Sequence, residues 1–186
     1  MADLNGKRIA ILATHGFEQS ELTVPRDRLR EMGAEVQVIS PEEGPIRGWK
    51  GSDWGESAEV DRRLGDVTHD EFHALVIPGG QINPDLLRAN PDAVSFVTAF
   101  HDAKKPLAAV CHGPWLLIEA GVVRGRRATS FGSIRTDMVN AGAEWVDEQV
   151  VCDQGIVTSR KPDDLEAFVR KIAEEVLEGK HQARAA

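Results

Sequence analysis

The chain reads as an α/β protein with a mainly parallel central sheet between helical layers, on three observations. Short apolar runs alternate along the sequence with stretches of 3.6-residue periodicity. Several of those runs, "ALVIPGG" and "PLAAVCH" among them, are apolar at successive positions instead of every second one, as expected of strands covered on both faces. No internal repeat or low-complexity segment breaks the pattern.

Taken in order, "KRIAILAT" is a strand followed by a polar loop, and "VPRDRLREMGA" is a helix with Leu29 and Met32 on one face and Gly33 at its stop. "EVQVIS" is the next strand. Residues 44–60, "GPIRGWKGSDWGESAEV", are rich in Gly and polar side chains and break the rhythm, which suggests a hairpin or extended excursion. Between the strands of "ALVIPGG" and "PLAAVCH", "NPDAVSFVTAFHDAKK" is helical, with Asn90 as cap and Pro91 at the first helical position. "PWLLIEAG" and "SIRTDMVNAG" are helical, and "EWVDEQVVCDQGIVTSR" is hairpin-like, turning at Asp153 to Gly155. The last helix, in "KPDDLEAFVRKIAEEVLEG", has an apolar stripe of Leu165, Phe168, Val169, Ile172, Val176 and Leu177, with Asp163 and Asp164 as its expected caps.

At 186 residues the chain is long enough for one good core, so a single domain over residues 1–179 is expected, with a frayed tail at 180–186. A net charge of -8 argues against general nucleic-acid backbone binding, which needs clustered Lys and Arg. The basic cluster "VRGRRATS" is read as a solvated loop. No apolar run approaches the roughly 18 residues of a membrane span, and "MADLNGKRIAIL" lacks signal-peptide features, so no membrane partner and a cytoplasmic location are expected. Cys111 and Cys152 stand far apart, which points to reduced thiols, and Cys152 is read as a structural or merely exposed one.

Cys111 is placed differently. It ends an apolar run where a helix is about to open at Gly113 and Pro114, so it falls at the carboxyl edge of the sheet, where crevices for ligands form. A sharp strand-to-helix turn there would lift the sulfur out of the sheet, and the helix start would favour a thiolate. Acidity alone does not make a catalyst, because nucleophilicity falls as the thiol pKa falls. Positioning, proton transfer and oxyanion stabilisation are required as well. His112 is the candidate acid or base, provided that the turn brings two adjacent residues to one side. Gly79 and Gly80 end a neighbouring strand, and their N–H groups are candidates for an oxyanion site together with the amide of His112. "HGFEQSEL" supplies Glu18 and Glu21 at a spacing that lets both reach one side of the crevice, and His15 is expected at its edge. Trp115 is read equally as pocket lining and as core packing; Trp49, Trp54 and Trp145 are read as packing or interface residues. The two histidines of "HDEFH" lack the Glu and the helix of a zinc motif, so no metal is expected.

"GFEQSELTVP", "ALVIPGG", "AVCHGPWLLIEAGVVRGRRATS", "VNAGAEWVDEQVV" and "VTSRKPDDL" together resemble the PfpI family of intracellular peptidases, general stress proteins and deglycases, within the class I glutamine amidotransferase-like superfamily. The likeness runs from about Lys7 to Leu177. It implies a flavodoxin-like three-layer sandwich, with Cys111 as nucleophile, His112 as the motif histidine and Glu21 as a largely protonated carboxyl bonded to the sulfur. It also implies a homodimer or hexamer. In peptidase-like members a glutamate from an adjoining subunit, shortly after the "PGG", completes the histidine; here the nearest residue is Asp85, whose shorter side chain puts peptidase activity in question. The resemblance leads to a cofactor-independent cysteine enzyme acting on small dicarbonyls such as methylglyoxal or on early glycation adducts. An intracellular peptidase acting on peptides, and a redox-responsive stress protein with an oxidisable Cys111, are the alternatives.

Overall fold

The computed structural model describes residues 2–180. In chain order they form β1 (Arg8–Leu12), α1 (Gln19–Glu31), β2 (Glu35–Ser40), β3 (Ile46–Lys50), β4 (Asp53–Ala58), β5 (Arg62–Arg63), β6 (Ala74–Ile77), α2 (Ile82–Arg88), α3 (Pro91–Asp102), β7 (Leu107–Val110) and α4 (Pro114–Glu119). There follow β8 (Arg127–Ala128), α5 (Arg135–Asn140), β9 (Glu144–Trp145), β10 (Val150–Asp153), β11 (Ile156–Ser159) and α6 (Leu165–Glu178). One sheet of order β10-β11-β7-β6-β1-β2-β5 runs through the centre, parallel at every pairing but β10 with β11.

Successive residues of a strand point to opposite faces, so a strand apolar throughout feeds two cores at once. Ile9 and Ile11 of β1, with Val76 of β6 and Val110 of β7, pack against Leu22 and Leu29 of α1 and Phe168 and Ile172 of α6. Ala10 and Leu12, with Leu75, Ile77 and Ala109, pack on the other side against Leu87, Phe96, Phe100, Leu116 and Met138 of α2 to α5. The expected α/β sandwich with a mainly parallel sheet is therefore the observed one.

The local signals that held have identifiable causes. Asn90 caps α3, its side-chain oxygen accepting from the amides of Asp92 at 3.0 Å and Ala93 at 3.4 Å. The β10–β11 hairpin turns through Gln154 and Gly155, both at positive φ, which matches the twist of the flanking strands. Residues 44–60 hold the hairpin of β3 and β4, where Trp49 and Trp54 meet edge to face with ring centres 5.6 Å apart.

Four expectations need correction. Helix α1 begins at Gln19, five residues before "VPRDRLREMGA", and Pro25 sits inside it. Asp164 occupies the residue before α6 but makes no cap; its carboxylate takes Arg160 Nε at 2.9 Å instead. Leu177, expected in the apolar stripe of α6, is exposed. Within "VRGRRATS", Val123, Thr129 and Ser130 are buried, and Arg127 and Ala128 form β8, pairing in parallel with β9 while Arg127 is bonded to Glu148. Of the expected frayed tail, only Lys180 lies within the described residues.

Candidate active site

Strands β1, β6 and β7 lie side by side, so the loops leaving their carboxyl ends meet over one edge of the sheet. Cys111 follows directly on β7 with φ at +62°, in a region that costs a non-glycine residue about 1–3 kcal/mol. The surrounding chain holds it there. Its amide donates to Ser159 O at 3.0 Å on β11, and its carbonyl accepts from the Phe131 amide at 2.8 Å. Gly113 turns the chain into α4 with its amide on Val110 O at 2.8 Å, at a point where a Cβ would lie 2.8 Å from the carbonyls of Ile77 and Val110.

This bend has a chemical result. On a straight strand His112 would face away from Cys111; across the left-handed residue its Nδ1 lies 3.2 Å from the Cys111 sulfur. The other ring nitrogen, Nε2, lies 3.0 Å from Ser133 Oγ. Phe131 stacks on the imidazole with centres 4.8 Å apart, and Trp115 meets its edge at 5.1 Å. Burial holds the His112 pKa below the usual imidazole value, so the ring is neutral and able to accept a proton near neutral pH.

Glu21, in the first turn of α1, points at the same sulfur. It is fully buried, and its Oε2 accepts the Gly79 amide at 2.8 Å. Gly79 is the hinge of this contact: a Cβ there would meet Glu21 Oε2 at 2.5 Å and Cys111 Cβ at 2.7 Å. Burial pushes the Glu21 carboxyl up to about 8, against hydrogen bonds from Gly79 and Cys111, and the Glu18 charge adds to the rise. A carboxyl that is mostly protonated at pH 7 is a proton donor beside the thiol. Asn83 fixes the loops to one another, taking the Thr14 amide at 2.7 Å and donating to Pro78 O at 2.9 Å.

Burial also pushes the Cys111 thiol up, and a negative Glu21 adds to this, while the amides of Gly80 and His112 pull it down. The expectation of a sulfur ionised at rest by a helix start is therefore corrected. Helix α4 spans six residues and opens with Pro114, which has no N–H, so its dipole offsets little of the desolvation at a residue only 7% exposed. Burial thus favours the thiol form, beside a ring nitrogen placed to take its proton.

The cleft above it measures about 530 Å³, and its walls include Glu18, Trp49, Gly80, Ile82, Phe131 and Pro162. The model of the DJ-1/PfpI family matches residues 7–175 of this chain. The chain belongs to the DJ-1/PfpI family. Relatives in that family include general stress protein 18 of Bacillus subtilis, 48% identical over 168 residues that cover 89% of this chain and 95% of the relative. Deglycase PfpI of Pyrococcus furiosus is 45% identical over 164 residues, covering 88% and 96%. Protein/nucleic acid deglycase 2 of Escherichia coli is 46% identical over 167 residues, covering 89% and 95%. Among solved structures, a two-domain protein of Anabaena variabilis with DJ-1/ThiJ/PfpI-like and ferritin-like domains superposes with a TM-score of 0.85 at 40% identity, over 90% of this chain and 47% of that one. DJ-1/PfpI relatives of deglycase name support an enzyme, and no helix among the described residues is long and apolar enough to cross a membrane.

Within this DJ-1/PfpI fold, Cys111, His112, Glu21, Glu18 and Gly80 come together around one cleft. Gly79, Trp115 and His15 do not. Gly79 belongs behind the sulfur: its amide is committed to Glu21 and is not available to an oxyanion. Trp115 backs His112 instead of lining the cleft, its indole N–H on Asp137 at 2.8 Å and its face covered by Arg88 at 4.4 Å. His15 takes the Arg47 amide on Nδ1 at 3.0 Å, and it is Gly16 that reaches the cleft wall. Asp85, expected to act only across a subunit boundary, is exposed on α2 and paired with Arg88 at 2.5 Å. Trp49, read as packing or interface, proves to be a wall of the cleft, and Ser133 and Phe131 were missed altogether. The "FGS" of "ATSFGSI", Phe131 to Ser133, follows no periodic pattern; only the return of this loop onto Cys111 O gives it meaning.

Proposed function

We propose that this protein is a glyoxalase or deglycase that protects against reactive dicarbonyls, with Cys111 forming the covalent adduct. The observation that supports it is a buried thiol 3.2 Å from a neutral imidazole, with a raised carboxyl beside it, opening on a cleft of about 530 Å³. The deglycase names of its relatives favour the same substrate class.

The aldehyde carbon of methylglyoxal bonds to the sulfur as the thiol proton passes to His112 Nδ1. The carbonyl electron pair moves onto oxygen in front of the Gly80 and His112 amides, which face the sulfur. The hydrogen on that carbon leaves as a proton and a proton returns to the neighbouring ketone carbon, so one carbon is oxidised as the other is reduced and no external oxidant is needed. Glu21 and His112 are the groups placed to carry these protons. Water then hydrolyses the resulting thioester, which releases lactate and restores the thiol. With a glycated amine, the carbon–nitrogen bond breaks after the adduct forms and the amine leaves with a proton.

Incubation with methylglyoxal and measurement of lactate tests this. The wild type is expected to form lactate and Cys111→Ser is not; no lactate from the wild type, or equal amounts from both, overturns it.

A further inference from the structure

The geometry points to Ser133 as a positioning residue: its hydroxyl oxygen accepts the Nε2 proton of His112 and so holds the imidazole in the tautomer whose bare Nδ1 faces the Cys111 sulfur. The inference rests on the proposed role of Cys111 as nucleophile.

A neutral imidazole has one N–H, and the partner of one nitrogen decides the state of the other. His112 has two polar partners, the sulfur at 3.2 Å and Ser133 Oγ at 3.0 Å. A thiol must donate its proton to be activated, so Nδ1 has to be the acceptor and Nε2 the donor. Phe131 and Trp115 fix the plane of the ring, but an aromatic face or edge does not distinguish two tautomers. The hydroxyl does.

Ser133 is held in place for this. It lies in the one-turn helix Gly132–Ile134, which is closed by the Ile134 amide on Phe131 O at 3.1 Å. The same loop is tied to the nucleophile by the Phe131 amide on Cys111 O, so sulfur, ring and hydroxyl share one frame. The residue type also matters. A carboxylate at this point would favour imidazolium and occupy Nδ1 with a proton before any substrate arrived. A neutral hydroxyl leaves the ring free to accept, and still offers an acceptor to Nε2–H once the proton from sulfur has arrived.

Two measurements on the folded protein test the assignment: nitrogen NMR of the His112 tautomer, and the rate at which iodoacetamide alkylates Cys111. In that alkylation the sulfur–carbon bond forms, iodide leaves and the thiol proton goes to Nδ1. Ser133 is exposed, so the variants Ser133→Ala and Ser133→Thr are expected to unfold at the wild-type temperature. The wild type is expected to show the Nε2–H form. Ser133→Ala is expected to show a mixture of tautomers and alkylation slower by about 3- to 10-fold, the worth of one hydrogen bond, and Ser133→Thr to restore both. An unchanged tautomer in Ser133→Ala, or a folded Ser133→Thr that behaves as Ala does, overturns the assignment. Neither readout uses methylglyoxal, so a protein that makes no lactate leaves this result standing, and a protein that makes lactate with an unaltered tautomer in Ser133→Ala sinks this assignment alone.

Discussion

Cys111 Sγ and His112 Nδ1 lie 3.2 Å apart although the two residues are neighbours in the chain, a contact made possible by the left-handed backbone of Cys111. The thiol and its base are thus set by one turn and not by two distant elements. Replacing His112 with Ala is expected to lower lactate formation by about 100- to 10,000-fold, the usual worth of a positioned acid or base. A steady-state assay beside the wild type measures it, and a loss of less than about tenfold would remove the base role.

Glu21 gives a pH dependence whose sign can be worked out. Its carboxyl rises from an ordinary value of 4.5 to about 8 on folding, so the protonated form favours the folded state. That contribution is complete below about pH 4.5 and is lost as the pH rises through about 8. Urea unfolding at about pH 5 and about pH 9 is expected to show a larger loss of stability in the wild type than in Glu21→Gln, by on the order of a few kcal/mol. Parallel curves for the two proteins would show that Glu21 titrates normally.

The two glycines after β6 should respond for different reasons. In Gly79→Ala the added methyl meets Glu21 Oε2, Cys111 Cβ and Val110 O, all within 2.8 Å, and none of these sits at the end of a flexible chain free to move away. In Gly80→Ala the backbone at φ +77° is strained as well, and the methyl lies 2.4 Å from Gly16 O. Each is expected to lose about 1–3 kcal/mol from overpacking, with the larger loss at Gly80. Thermal or urea unfolding checks the order.

Cys152 is a built-in control. Burial, with Glu175 beside it, pushes this thiol up to about 12. Peptide mapping after brief iodoacetamide treatment near neutral pH is expected to find Cys111 modified well ahead of Cys152. Equal labelling would mean that the His112 contact gives Cys111 no advantage.

The sheet was legible because β6 and β7 are apolar at every position and β1 at every position after Arg8, a pattern that two-sided burial explains. The nucleophile was legible because Cys111 stands between such a run and Gly113-Pro114. What escaped the sequence is what depends on chain return. Trp49 comes to the cleft through the β3–β4 hairpin, and Ser133 through a loop bonded to Cys111 O. Pro25 hid the first turn of α1, because a proline reads as a helix start while here it falls inside. The weight given to the helix start has a physical limit: α4 is too short to offset the burial that pushes the thiol up.

The covalent role of Cys111 is tested most directly by trapping it. The protein is mixed briefly with methylglyoxal, the reaction is quenched in acid, where the lactoyl thioester on sulfur persists, and the modified peptides are identified by mass spectrometry. Rapid, saturable modification of Cys111 that disappears in His112→Ala is the predicted result; modification spread equally over Cys152 and surface lysines, with Cys111 no faster than the rest, would contradict it.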